Sequence, residues 1–232
     1  MTQPPQPLIL ASASPRRREL LRYLTPNFRV WPTQGEDEAR FMARELAAHL
    51  PAFPLPPQHH PTLLAWRKVT AAGTEGAAGV ILGADTIVVI DDAVLNKPRD
   101  AAEAQGMLRR LAGRTHQVYT GVAVAVTDNT PALQLALDVA LVQMAPLTET
   151  QISAYVATGE PLDKAGAYGI QGLGGQLVQS VTGSYTCVVG LPLVLTHQVL
   201  AAAGLSGLAD PVAAFERWLA ETGRGTPACT AP

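Results

Sequence analysis

Apolar and polar positions along the 232-residue chain group into short stretches, and the period of each predicts an element. Leu8 to Ala11 is a short apolar run suited to a buried strand, followed by the small-residue turn Ser12-Ala13-Ser14. Ser14 stands where a helix start needs a side-chain acceptor, and Pro15 suits the first helical position. Leu20, Leu21 and Leu24 then form an apolar stripe that Pro26 limits. The opening thus predicts strand, tight turn, helix. From His49 to Pro61 prolines and histidines crowd into HLPAFPLPPQHHP, which predicts an irregular surface excursion; the adjacent His59 and His60 are read as part of it rather than as a metal pair.

Val80 to Ile90 (VILGADTIVVI) is nearly continuous apolar sequence, as expected of a strand covered on both faces, yet it carries Asp85. Asp100 and Glu103 have capping-box spacing ahead of Ala104, Met107, Leu108 and Leu111, and Gly113 is a helix stop, so a helix is predicted over Asp100 to Ala112. His116 to Val126 alternates and predicts a strand with Val118, Thr120, Val122, Val124 and Val126 on one side. Thr148 and Gln151 repeat the capping spacing before another helix, closed by Gly159 to Pro161. Ala165 to Gly175 (AGAYGIQGLGG) is too rich in glycine for a regular element, and Gln176 to Val189 predicts two strands turning at Thr182-Gly183. Leu191 to Ala203 predicts a packed helix, a further helix is expected around Phe215 to Leu219, and Thr222 to Pro232 is expected to fray. Alternating strands and helices with a late hairpin indicate an α/β protein with a mixed sheet.

Composition narrows the class. Hydrophobic residues make up 47% and charged residues only 16%, which excludes a highly charged disordered polymer. Seventeen Lys plus Arg against nineteen Asp plus Glu give a net charge of -2, so coating nucleic acid or an anionic membrane is not the expected task. Two cysteines, Cys187 and Cys229, are too few for a disulfide framework and suit a reducing compartment. No apolar segment is long enough to span a membrane, and Met1 to Pro7 lacks the basic residues of an export signal, so a cytoplasmic protein is expected.

Against that apolar background a few residues stand out. Arg16, Arg17 and Arg18 occupy the first turn of the first helix, where the helix dipole disfavours cations by about 0.3 to 1 kcal/mol each. An anion held there would reverse the sign, since free backbone N–H groups, the Ser14 hydroxyl and an arginine fork would all donate to it, and phosphate is the obvious candidate. The alternative is that the arginines reach into solvent and pair with Glu19 or other acids. Asp85 is the converse, a carboxylate in an apolar strand that needs a cation, a metal or several hydrogen bonds. Gly83 and Ala84 before it leave room for a bulky group to approach. Asp91-Asp92 reads as a turn between two strands. Lys97, pinned by Pro98, is on its own a surface lysine. The glycines at 166, 169, 172, 174 and 175 would let backbone approach a base or sugar, and Gln171 has both donor and acceptor for a base edge. Together these make a set suited to a triphosphate, a divalent metal and a base.

Three stretches, LILASASPRRRELL from Leu8, GADTIVVIDDAVLNKPRDAAEAQGMLRRLAGRTHQVYT from Gly83 and GEPLDKAGAYGIQGLGGQLVQSVTGSYTCVVGLP from Gly159, resemble the signature blocks of the Maf family of nucleoside triphosphate pyrophosphatases. The similarity runs from about Leu8 to Leu200, and DKAGAYGIQG resembles the branch acting on dTTP and UTP rather than that acting on 7-methyl-GTP. The resemblance implies an α/β fold with a mixed twisted sheet and flanking helices, two lobes around a central cleft as in inosine triphosphate pyrophosphatases, and in some cases a homodimer. It further implies hydrolysis of a triphosphate to the monophosphate and pyrophosphate, dependent on a divalent cation, Mg²⁺ or Mn²⁺. Asp85 matches the family's proton acceptor; Arg16, Thr86 and Gln171 match positions tied to substrate choice; Ser14, Arg17, Lys68 and Lys97 match polar residues that bind the nucleotide. The family's acidic residue after the second strand falls at Glu38, which with Asp85 would hold the metal. The expected organisation is a flexible start over 1–7, a pyrophosphatase domain over 8–204 with a proline-rich insertion at 51–61, and an extension over 205–232. A nucleotide-binding regulator of cell division without catalysis is the competing class.

Overall fold

The strand and helix signals are realised as an α/β architecture built on one mixed sheet with flanking helices. The structure, a computed structural model, describes residues 7–33, 46–127, 132–223 and 228–230. Its elements are β1 (Leu8–Leu10), α1 (Pro15–Leu24), β2 (Phe28–Val30), α2 (Pro61–Thr74), β3 (Val80–Ile90), β4 (Ala93–Leu95), α3 (Ala101–Leu111), β5 (Thr115–Val126), β6 (Ala132–Met144), α4 (Glu149–Ala157), β7 (Val178–Thr182), α5 (Tyr185–Val189), α6 (Leu193–Ala202), α7 (Pro211–Thr222) and β8 (Ala228–Thr230). Strands hydrogen-bond in the order β2-β1-β3-β5-β6-β7-β8, with β4 on β3. β1 is parallel to β2 and β3, whereas β4 on β3 and β7 on β6 are antiparallel.

The described chain divides into two compact units. The first holds residues up to Asp85, Thr120–Asp138 and Gly190–Gly223. In it, Leu10 pairs with Leu82, so the chain leaves β1 level with the start of β3, and β3 runs on past it. Helix α2 lies close on the sheet through two glycines. A Cβ on Gly83 would come within 2.5 Å of the Ala65 carbonyl oxygen, and one on Gly121 within 2.1 Å of the Thr62 nitrogen. Leu63, Ala65, Trp66, Val69 and Ala72 of α2 pack with Ile9, Ile81 and Ala123 as a core cluster. On α1 the stripe Leu20, Leu21 and Leu24 is buried, and α1, α6 and α7 pack together around the fully buried Trp218.

The second unit holds Thr86–Tyr119, Val139–Val189 and β8. Asp91 and Asp92 make the turn between β3 and β4, both in the left-handed region at φ 51° and 56°, and Asp91 pairs with Arg114 and Arg110. Those guanidinium groups hold its carboxyl below the usual range. Ala104, Met107, Leu108 and Leu111 form the buried face of α3. A 3₁₀ turn, Glu160–Asp163, precedes the glycine-rich stretch, which itself carries two more, Ala165–Ala167 and Leu173–Leu177.

Several expectations are corrected. Gln176 to Val189 is not a hairpin: β7 stops at Thr182, Gly183 turns at φ 97°, and Tyr185–Val189 is the helix α5. The Ser184 hydroxyl accepts from the Cys187 nitrogen at 3.1 Å and starts that helix against local strand preference. β5 forms as expected, and both of its faces are buried from Val118 to Val124. His60 does not lie on the surface excursion. It is 3% exposed, its Nδ1 accepts from the Thr62 nitrogen at 3.2 Å as the cap of α2, and its Nε2 donates to the Pro51 carbonyl at 2.9 Å. The tail is not frayed throughout, because Ala228–Thr230 pairs in parallel with Ser180–Thr182. Pro7 is already tied in, its carbonyl accepting from the Val80 nitrogen at 3.0 Å.

Candidate active site

In the first unit the site grows from the end of β1. The Ala11 nitrogen donates to the Leu82 carbonyl at 2.8 Å, and the chain then turns through Ser12 into α1. The Ser14 side chain accepts from the Arg17 nitrogen at 3.5 Å, while its own nitrogen donates to the Ser12 hydroxyl at 3.2 Å. The first turn carries no acid, so Ser14, Arg16 and Arg17 present a helix start of positive potential. Arg16 and Arg17 are half-buried and Arg18 is exposed. Part of the Arg17 fork serves the fold: Nε donates to the Gly190 carbonyl at 2.8 Å and Nη1 to the Ser12 hydroxyl at 3.4 Å. Sequence reasoning does not single out Ser12 or Gly190; a hydroxyl in a small-residue turn carries no signal until the fold brings Arg17 to it. Glu19 faces elsewhere, accepting from the Trp218 indole nitrogen at 2.7 Å.

Asp85 lies three residues past Leu82 on β3, where parallel pairing puts it at the same edge of the unit as the β1–α1 turn. Ligands of parallel sheets gather at such carboxyl ends. Its charge is met by Lys68 of α2, whose Nζ donates to Oδ1 at 2.5 Å and lies 3.4 Å from the Ala84 carbonyl. The pair is largely sheltered, with side chains 14% and 19% exposed. The room left by Gly83 is filled by the α2 backbone rather than by an incoming group, and this close approach sets Lys68 over Asp85. Sequence alone connects neither residue to the other, since the pairing depends on how a helix packs on a strand.

In the second unit Thr86 is half-buried and, by strand alternation, faces opposite to Asp85. Lys97 is exposed on the segment after β4, which is tied to the glycine-rich loop by the Gly166 nitrogen donating to the Asn96 carbonyl at 3.3 Å. Gln171 is half-buried in a turn of that loop, and its Nε2 is buried with no hydrogen-bond partner among the described residues. An unsatisfied buried donor is costly, so this amide is a candidate for ligand contact. Glu38 lies outside the described residues.

No group of three or more His, Cys, Asp or Glu able to hold a metal occurs among the described residues. Asp85 supplies one carboxylate oxygen beyond the one engaged by Lys68. That donor set fits a hard divalent cation of the Mg²⁺ kind, which is commonly held by one or two carboxylates together with substrate phosphates rather than by an all-protein cage. No helix among the described residues is long and apolar enough to cross a membrane.

Residues 7–203 match the family described as Maf-like protein. The chain is 47% identical over 195 residues to the dTTP/UTP pyrophosphatase of Symbiobacterium thermophilum, covering 84% of this chain and 93% of that protein. It is 47% identical over 194 residues to the dTTP/UTP pyrophosphatase of Escherichia coli O157:H7 (83% and 91%), and 43% identical over 205 residues to that of Shewanella sp. strain MR-7 (85% and 98%). Among solved structures it is similar to the Staphylococcus aureus Ham1 protein, with 12% identity, 60% of this chain and 72% of that chain covered, and a TM-score of 0.40.

Proposed function

The chain belongs to the Maf family, and from that footing we propose that it is a cytoplasmic nucleoside triphosphate pyrophosphatase that hydrolyses dTTP and UTP, and related modified pyrimidine nucleotides, to the monophosphate and pyrophosphate. The observation that carries the reading is the sheltered Asp85–Lys68 pair at the same strand edge as a cationic helix start that holds no acid. The names of the relatives supply the substrates.

Each residue has a role in the reaction. The start of α1, with the Ser14 hydroxyl, backbone N–H groups and Arg16, binds phosphate oxygens, while Arg17 both braces the turn and adds positive charge. Lys97 neutralises the phosphate chain, and Thr86 offers a hydroxyl for substrate choice. Asp85 accepts a proton from the water that attacks the α-phosphorus; the bond to the bridging oxygen breaks and pyrophosphate leaves with the electron pair. Lys68 fixes one oxygen of Asp85, so the carboxylate works from a defined orientation. A divalent cation held by Asp85, by Glu38 and by the nucleotide's own phosphates would offset charge on the leaving pyrophosphate. Gln171 reads the base, its amide donating to O4 and accepting from N3–H of uracil or thymine; cytosine presents the reverse pattern.

Turnover of UTP, dTTP, CTP and 7-methyl-GTP measured side by side by pyrophosphate release tests the reading. The two uracil-type nucleotides are expected to lead. A best rate on 7-methyl-GTP would reassign the branch, and no pyrophosphate from any triphosphate would favour the non-catalytic regulator.

A further inference from the structure

We propose that Glu160 is a positioning residue for base recognition, fastening, with Tyr155, the glycine-rich loop that carries Gln171. The proposal depends on Gln171 being the residue that reads the base. Glu160 begins a 3₁₀ turn directly after Gly159, which is left-handed at φ 76°. Its Oε1 accepts from the Tyr155 hydroxyl at 2.9 Å and from the Gly174 nitrogen at 3.2 Å, and its Oε2 accepts from the Leu173 nitrogen at 3.0 Å. The same Tyr155 oxygen accepts from the Gly169 nitrogen at 3.1 Å. Three loop N–H groups, at 169, 173 and 174, therefore end on one carboxylate–phenol pair, and they bracket Gln171 on both sides.

The glycines give independent support. A Cβ on Gly172 would stand 2.6 Å from both carboxylate oxygens of Glu160, and one on Gly174 would stand 2.5 Å from the Tyr155 hydroxyl. On Gly169 it would meet the Lys164 side chain at 2.5 Å and Glu160 Oε1 at 3.1 Å. These three glycines make room for the clamp from inside the protein. Lys164 completes the anchor, its Nζ donating to the Glu160 carbonyl at 2.8 Å and to Asp163 at 2.5 Å. Burial foremost pushes the Tyr155 phenol upward, so its hydroxyl keeps the proton it donates.

The chemistry needs a carboxylate here. Ionised, Glu160 is an acceptor at both oxygens, matching one O–H and two N–H donors. A glutamine in its place would turn an NH₂ toward a donor and lose at least one of the bonds. Glu160 does not reach the base itself; it acts by fixing the loop from which the Gln171 amide points, so its loss is felt where uracil is told from cytosine.

The test is kinetics of full-length Glu160→Gln and Tyr155→Phe on UTP and CTP by pyrophosphate release, alongside thermal unfolding. In each variant KM for UTP is expected to rise about tenfold with kcat changed by less than about threefold, and the UTP-to-CTP ratio of kcat/KM to fall about tenfold, as expected for losing one or two hydrogen bonds of the clamp. Tyr155→Phe removes a single oxygen and decides the matter if Glu160→Gln fails to fold. A cooperatively folding variant that keeps the wild-type ratio overturns the inference while the proposed function stands. A wild-type protein that hydrolyses neither UTP nor dTTP overturns the function, and this inference with it.

Discussion

Replacing His116 with glutamine is expected to remove a large part of the protein's acid sensitivity. His116 sits on β5 and is 2% exposed, with Nε2 2.8 Å from the Tyr168 hydroxyl and the two rings edge to face at 5.4 Å. Burial pushes its pKa down from 6.5 to about 4, because a charged imidazole there would lose its hydration. The unfolded chain thus takes up this proton at a higher pH than the native protein does. The stability is fully present above pH 6.5 and drains away as pH falls toward 4. A gap of about 2.5 pH units at about 1.4 kcal/mol each puts the whole effect at about 3 kcal/mol, with about 2 kcal/mol gone by about pH 5. Urea unfolding of wild type and His116→Gln at about pH 7.5 and about pH 5 reads this directly. His60, also held down chiefly by burial, loses stability with the same sign in both proteins, so the difference between them isolates His116. Wild type should lose about 2 kcal/mol more than the variant over that interval. Equal losses in the two proteins would refute the reasoning.

Packing and charge yield two more expected outcomes. Trp218→Ala should cost about 3 to 5 kcal/mol in urea unfolding, because the indole is fully buried among α1, α6 and α7 and its Nε1 satisfies Glu19 at 2.7 Å. Lys68→Met should lower kcat on dTTP by about 10- to 100-fold by releasing the carboxylate it holds at 2.5 Å, and a steady-state assay returning wild-type kcat would contradict the assigned role.

Local signals in the sequence carry much of the fold. Ser14 and Pro15 start α1, and Thr148 and Gln151 form a complete capping box, because a helix end is decided by the residues that satisfy its free N–H groups. Asp100 caps α3 at 2.8 Å, but Glu103 turns back to the Arg99 nitrogen and guanidinium instead of closing the box. The features hidden from sequence depend on tertiary packing. The start of α2 is concealed in a proline run, where its cap is a buried histidine and not one of the usual small polar residues. Tyr185–Val189 has strand composition and becomes a helix because Gly183 ends β7 and Ser184 caps the next turn. At the site, Asp85 is legible because a carboxylate in an apolar strand is out of place. Its pairing with Lys68 is not, since only the close seating of α2 on Gly83 brings the two together.

The central claim is tested most directly by product analysis of dTTP incubated with wild type and with Asp85→Asn at saturating Mg²⁺. Wild type is predicted to release dTMP and pyrophosphate in equal amounts, and Asp85→Asn to lower kcat by about 100-fold or more, as expected when a general base is lost. Near-wild-type turnover by the variant, or orthophosphate as the wild-type product, would contradict the account.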